Sequence, residues 1–420
     1  MLPGLFGGTE NNIFMIIQTL ISILFVGMVF FFPRLMVWNA DRKMKSLLTE
    51  LETYRDSTES RFLDKLTDNP SESTKNRLES VRNVQFSAPT SLDPAGMVGK
   101  LEHILDTSEN KFKRFVRAHA DTEDEEEIAD LNMAFKGVMG THQMYKVIRH
   151  FRQLVNKTKN YQIVGLVQMM LPIYEEMAKS QKEATRAFLD GAPIGDGIGP
   201  LVAAKLIEDE PEEEIAENVI HSEEEIDDQT VHVIKSRGPG ARLGKYGDAI
   251  DTLAEENDLE AVITVDAASK FEGEETGSVA EGVGVMMGGP GVEKSKIEEA
   301  ATEHDVPLEG VVIKQSAPEA SKPMKREIYD AYEEAIDKVE QTASEFDGEV
   351  AVVGVGNTCG VGNTREDVRN VHSKLRKYWK EYEEQEDEDV SYQGLLSVMP
   401  GGDSSAVESS AESMMWNFVR

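Results

Sequence analysis

Cysteine is nearly absent from this chain of 420 residues, which has one, Cys359. A disulfide framework and any cysteine-rich zinc or iron–sulfur site are thereby excluded. Basic residues are also scarce, 44 Lys and Arg against 77 Asp and Glu, for a formal net charge of −33. That balance lacks the cationic face needed to displace counterions from phosphates, so no nucleic-acid partner is expected. Several catalytic signatures are missing as well: no G-K-[ST] follows a glycine loop, and there is neither a Ser-His-Asp triad nor an H-E-x-x-H motif. Hydrophobic residues, at 40%, are too many for simple disorder, so the acid must sit mostly on folded surfaces.

One uncharged apolar run does stand out. It covers residues 13–32, opening at Ile13 and closing at Phe32 (IFMIIQTLISILFVGMVFFF). At about 1.5 Å per residue, a helix of that length matches a hydrocarbon core of roughly 30 Å. It lacks the cationic start and small-residue cleavage site of a signal peptide, so a permanent anchor with membrane as partner is expected. Pro33 is expected to end the span, with Trp38 as an interface anchor. Arg34, Arg42, Lys43 and Lys45 follow it, whereas only Glu10 precedes it. The positive-inside rule then predicts a single-pass protein of the cell membrane, amino terminus outside and body cytoplasmic.

Residues 43–189 read as helical. Leu47, Leu48, Leu51, Tyr54, Phe62 and Leu66 recur at steps of three and four with charges between them. Asn69-Pro70 and Ala88-Pro89 suggest an exposed connection over 71–94, and Pro172 a kink or a break. Oligomerisation through this stalk is one expectation. His119, His142 and His150 lie on it without a convergent set of metal ligands. Beyond Leu189 the pattern changes to short apolar strands (VHVI, AVITV, GVVI, EVAVVGV) alternating with helical segments. Such alternation indicates a sheet covered on both faces. The fold class expected is an α/β head with a parallel or mixed sheet, preceded by one transmembrane helix and a helical stalk or bundle. Domains are expected at 1–40 (anchor), 41–189 (stalk), 190–382 (head) and 383–420 (an acidic, Gly/Ser-rich flexible tail).

Four glycine-rich segments in the head are candidates for ligand contact, because glycine permits positive φ and close backbone approach. They are PIGDGIGPLVAA with Asp196, Gly197 and Gly199; SRGPGARLG with Arg237, Gly238, Gly240 and Arg242; VDAAS and its glycine-rich continuation with Asp266, Gly289 and Gly291; and GVGNTCGVGN with Gly356 and Asn357. Ligands in α/β sheets bind beyond the carboxyl ends of strands, and Asp266 lies at such an end. GDGIGP alone has three readings. A helix-hairpin-helix would grip phosphates, but the surroundings are acidic. The opening loop of isopropylmalate-type dehydrogenases should follow a first strand, whereas here a helix precedes it.

The third reading covers roughly residues 192–313. GDGIGPLVAAKL, Val265-Asp266-Ala267, Gly277-Ser278-Val279 and GGPGVEK follow one another in an order that resembles the superfamily of hydrogenase-maturation and spore-germination peptidases. Members carry a strand ending in G-x-G-N just before the G-D-x-x-G-P loop. Here Gly354-Val355-Gly356-Asn357 comes at the far end instead, which a circular permutation would reconcile by setting Asn357 beside Asp196. The resemblance implies that Asp196 and Asp266 are a catalytic pair hydrolysing a peptide. Two close carboxyls cannot both ionise easily, so one keeps a proton while the other activates water. In the hydrogenase members the matching positions sense a metal. No histidine here matches that motif, His232 and His304 being candidates only by topology, so a metal is not favoured and the cofactor is left open.

The alternative is a non-catalytic, membrane-tethered scaffold, or a module sensing an anion or nucleotide. Its basis is SRGPGARLG, which with Lys235 and Lys245 concentrates four cations in eleven residues. That loop could cradle a small anion, or its cations could simply neutralise nearby acids. The acid-rich composition resembles that of proteins from salt-loving archaea. Anchor, stalk and head together resemble an archaeal membrane-anchored family of unknown function.

Overall fold

The computed structural model describes residues 9–83, 96–211, 213–286 and 291–396. They form a helical amino-terminal region followed by a mixed α/β region around a seven-stranded sheet. The helices of the first region are α1 (Thr9–Leu66), α2 (Glu72–Arg82), α3 (Met97–His119), α4 (Glu125–Thr158) and α5 (Tyr161–Leu189). One differs from the sequence pattern. Residues 72–82, read as an exposed connection, form α2, because Ser71 caps it by accepting the Thr74 N–H while Leu78 and Val81 are buried. Helix α5 contains Pro172 without ending there.

The transmembrane anchor is not upheld, since among the described residues no helix is long and apolar enough to cross a membrane. Residues 13–32 belong instead to α1, which continues unbroken past Pro33 into a charged segment, for 58 residues in all. The single-pass location, with the amino terminus outside and the body cytoplasmic, falls with the span. The role of interface anchor expected for Trp38 falls with the span; its ring lies under the Arg42 guanidinium, 5.8 Å from centroid to carbon.

The chain divides into two compact units. One comprises Met1–Thr53 and Gln143–Glu175. Its buried residues include Met44, Leu47 and Leu51 of α1, Ile148 and Val155 of α4, and Val164 and Leu171 of α5. This is the spacing of amphipathic helices sharing a core. Asp41 accepts from Arg152 Nε at 2.8 Å and from Asn156 Nδ2 at 2.6 Å.

The other unit comprises Tyr54–His142 and Glu176–Arg420. It contains α6 (Ile198–Leu206), β1 (Glu214–Ala216), β2 (Val219–Ile226), β3 (Gln229–Ser236), α7 (Tyr246–Glu256), β4 (Leu259–Ser269), β5 (Val279–Val283), α8 (Val292–Glu303) and β6 (Leu308–Gln315). After these come α9 (Ala317–Ser321), α10 (Arg326–Asp330), α11 (Tyr332–Ala343), β7 (Glu349–Gly354) and α12 (Val371–Leu396). The last helix continues past Glu383, where the sequence places the start of a tail. The remaining tail residues, 397–420, and Gly289 lie outside the described residues.

The strand order is β1-β2-β3-β7-β4-β6-β5. β7 pairs in parallel with β3 and β4, and β4 with β6, while β1, β2 and β5 join antiparallel. The inner strands are apolar runs because helices cover both faces. On one face Ile234, Val262 and Val353 pack with Tyr246, Ile250 and Leu253 of α7 and Ile297 of α8. Gly354 points to the opposite face, where α6 lies against it. In the same unit a second core joins Phe62, Phe112, Phe115 and Phe135 to Cys359 and Tyr378. The three other rings lie 5.2–5.5 Å from Phe135, an arrangement that adds to burial of their area.

Candidate functional site

Three glycine-rich segments meet beyond the carboxyl end of β7, beside β4, which runs on to Ser269. Val265 lies opposite Gly354 in the parallel ladder, which the Val355 N–H extends by donating to the Val265 carbonyl at 2.9 Å. Over this end sits a 3-10 turn, Gly195–Gly197, that leads into α6. Two glycines make this approach feasible. A Cβ on Gly199 would stand 2.3 Å from the carbonyl oxygens of both Val265 and Val355. One on Gly356, whose φ is +140°, would stand 1.9 Å from the Asp196 carbonyl oxygen.

Asp196 is thereby held against the last strand. Its Oδ2 accepts the Asn357 N–H at 3.1 Å, while Asn357 Oδ1 accepts the Cys359 N–H at 2.9 Å. The G-x-G-N segment at the end of β7 therefore adjoins the G-D-x-x-G-P loop, although some 160 positions separate them in the chain. Asp266 follows Val265 on β4, and its Oδ1 accepts the Ala267 N–H at 2.6 Å. Asp266, expected at a strand end, instead lies within β4, three residues before Ser269, on the face it shares with Val262. The Asp196 turn, by contrast, leads into α6 on the other face. Both aspartates are solvent-excluded, 2% and 0% exposed. Gly197 packs on the Asn357 carbonyl. Gly291, at φ +79°, caps α8 and has no neighbour within 4 Å of a Cβ built on it.

The SRGPGARLG cations are taken up by acidic and amide side chains. Arg237 Nε donates to Glu214 at 2.8 Å, and Arg242 forms a two-armed pair with Glu126. Lys245 reaches Glu102 at 2.9 Å and Asp106 at 3.3 Å. The Gly240 N–H also donates to Glu126, at 2.6 Å. The Gly238 N–H donates to Asn363 at 2.7 Å. Such a loop is knitted into its neighbours, with its glycines spent on close packing: a Cβ on Gly238 would overlap the Val361 carbonyl at 1.8 Å.

Lys235, read from the sequence as one of the loop's cations, and Asp130, which sequence reasoning missed, complete this cluster. Lys235 is fully buried, and its Nζ donates to the Ser236 carbonyl at 2.8 Å and to Asn363 Oδ1 at 3.2 Å. Burial pulls its pKa down to about 7 against the pull of Glu210 and Asp367. On α4, Asp130 Oδ1 accepts the Ala241 N–H at 2.8 Å. Burial raises this carboxyl to about 7, outweighing the Ala241 N–H and the Cys359 thiol beside it. Burial likewise pushes the thiol up, and Asp130 adds to it. A signal for part of this was present: GVGN occurs twice, at 354–357 and 360–363. Each asparagine serves a different loop, Asn357 the Asp196 turn and Asn363 the Gly238 turn. Chemically this end of the molecule offers two shielded carboxylates, Asp196 in the turn before α6 and Asp266 within β4, together with a lysine and a carboxyl that burial brings to about 7.

No curated protein and no solved structure matches the chain. Two family models do. One, described as the N-terminal domain of a protein of unknown function (DUF1512), matches residues 18–191. The other, described as the C-terminal part of the same domain of unknown function, matches residues 194–362. The chain thus carries both the N-terminal and the C-terminal domains of the DUF1512 family.

Proposed function

We propose that the α/β region is a circularly permuted relative of the hydrogenase-maturation and spore-germination peptidases, and that Asp196 and Asp266 are the acidic pair with which it acts on a peptide. The observation that carries this reading is the hydrogen bond from the Asn357 N–H to Asp196. A permutation needs the G-x-G-N strand end and the G-D-x-x-G-P turn to be neighbours, and this hydrogen bond joins them. The seating of Gly199 on the Val265 carbonyl adds the I/V-D-A strand to the same junction. In this mechanism one carboxyl serves as general acid toward the leaving amine, while the other takes the proton of an attacking water. Substrate entry then requires the glycine loops over the pair to part.

The test is cleavage of a mixed peptide library by the full chain, followed by mass spectrometry. Asp196→Asn and Asp266→Asn should each lower cleavage about a hundredfold or more, the usual scale for loss of a general acid or base. Cleavage at the wild-type rate by both variants, or none by the wild type, overturns the proposal. Exclusion of both aspartates from solvent favours a second reading, a non-catalytic scaffold in which they close the loops. On that reading the same variants lower the unfolding temperature, and the wild type cleaves nothing.

A further inference from the structure

The compact unit made of residues 1–53 and 143–175 differs in charge from the chain as a whole. Its sequence holds nine Lys and Arg against five Asp and Glu, whereas the whole chain has a net charge of −33. Residues 143–174 contribute five of those cations and no Asp or Glu at all. Positive charge gathered in one place against an acidic background raises the local concentration of anions.

Within this unit an open groove of about 440 Å³ lies between Leu48 of α1 and the middle of α4, a volume that suits a small ligand. Its α4 wall is Arg149, Arg152, Gln153, Asn156 and Lys157, spaced by threes and fours and therefore on one face of the helix. Arg152 is committed to Asp41 through Nε at 2.8 Å, and Asn156 donates to the same carboxylate at 2.6 Å. The Arg152 hydrogen bond, above all, holds Asp41 below its ordinary range, so this carboxylate stays charged and offsets one guanidinium. Arg149 and Lys157 have no such partner. Both are exposed, and neither makes a hydrogen bond or ion pair among the described residues. The groove therefore keeps two uncompensated positive charges, with the exposed amide of Gln153 between them as a further donor.

The spacing selects the anion. Eight positions along a helix set Arg149 and Lys157 about 12 Å apart at the backbone. One orthophosphate meets both only if both side chains lie flat along the helix. An ion with charge spread along its length meets both without that constraint. The guanidinium fork matches phosphate oxygens two at a time, and the ammonium adds a point charge.

We infer that this groove binds a short linear polyphosphate, its ends on Arg149 and Lys157 and its middle on the Gln153 amide. Arg152, pinned by Asp41, forms the wall rather than gripping the ligand. This inference does not depend on the peptidase reading.

Calorimetric titration of the full chain at low salt decides it, with inorganic triphosphate as the probe. Triphosphate should bind saturably, one per chain, and orthophosphate at least tenfold more weakly, having lost one charged contact. Arg149→Gln and Lys157→Gln should each weaken triphosphate binding about tenfold. Arg77→Gln removes an equally exposed cation of α2 that also has no partner among the described residues, and should leave the affinity unchanged. Because Arg149 and Lys157 hold nothing in the fold, their variants should unfold at the wild-type temperature, which separates a lost ligand contact from a damaged protein. Absence of saturable triphosphate binding, equal affinity for the two ions, or losses from Arg77→Gln as large as those from the groove variants overturns the inference.

Discussion

Replacing Lys235 by methionine should stabilise the protein at pH 7 and destabilise it at pH 10.5. Lys235 is fully buried, and burial lowers its pKa from 10.5 to about 7. A folded pKa below the unfolded one means that the unfolded chain binds more protons between those limits. The contribution of the neutral amine is therefore whole above 10.5 and is lost as pH falls toward 7. A depression of that size corresponds to about 5 kcal/mol, nearly all of it present as a penalty at pH 7. Methionine, of similar length and uncharged, removes the penalty. It also removes two hydrogen bonds, those to the Ser236 carbonyl and to Asn363 Oδ1. Asn363 Oδ1 keeps the Gly238 N–H, so the chief loss is the stranded Ser236 carbonyl, about 1–3 kcal/mol. The balance is a gain of about 1–3 kcal/mol at pH 7 and a loss of similar size at pH 10.5. Urea unfolding of both proteins at several pH values measures the difference directly. A difference that stays constant from pH 7 to 10.5 refutes the assignment of a buried, neutralisable lysine.

Two further predictions concern the loops. Gly199→Ala should cost about 3 kcal/mol in urea unfolding, since its methyl meets two fixed carbonyl oxygens at once; a loss below about 0.5 kcal/mol would mean that α6 is not seated on β4 and β7. For Asp130 the folded pKa is raised from 3.8 to about 7, so its contribution is whole below 3.8 and is lost as pH rises through 7. Asp130→Asn should flatten that decline in the pH–stability curve relative to wild type, and parallel curves would exclude Asp130 as its source.

The strands legible in the sequence were the buried ones. VHVI, AVITV, GVVI and EVAVVGV fall within or along β3, β4, β6 and β7, whose helix-covered faces demand continuous apolar runs. β2 (VIHSEEEI) and β5 (VAEGV) escaped notice because strands toward the sheet margins need not be apolar throughout. The apolar run at residues 13–32 misled for a different reason. Composition shows how long an uncharged stretch is, but not that the same helix continues through Pro33, a residue that ordinarily disrupts a helix interior. In the site, the glycines and aspartates carried motifs, and GVGN marked its partner. Asp130 and Glu126 carried none, and Lys235 was read only as a loop cation, because their roles come from burial and from partners more than a hundred residues away.

Among the described residues β7 is the last strand made, and it occupies the middle of the sheet, between β3 and β4. Until it leaves the ribosome, β1-β2-β3 and β4-β6-β5 are separate three-stranded ribbons with no common neighbour. Vectorial synthesis therefore cannot finish this region piecemeal. The closing segment arrives once, as a wedge, and carries with it the asparagines that lock the loops. A nascent chain halted short of Glu349 would hold two unpaired parallel edges, on β3 and on β4.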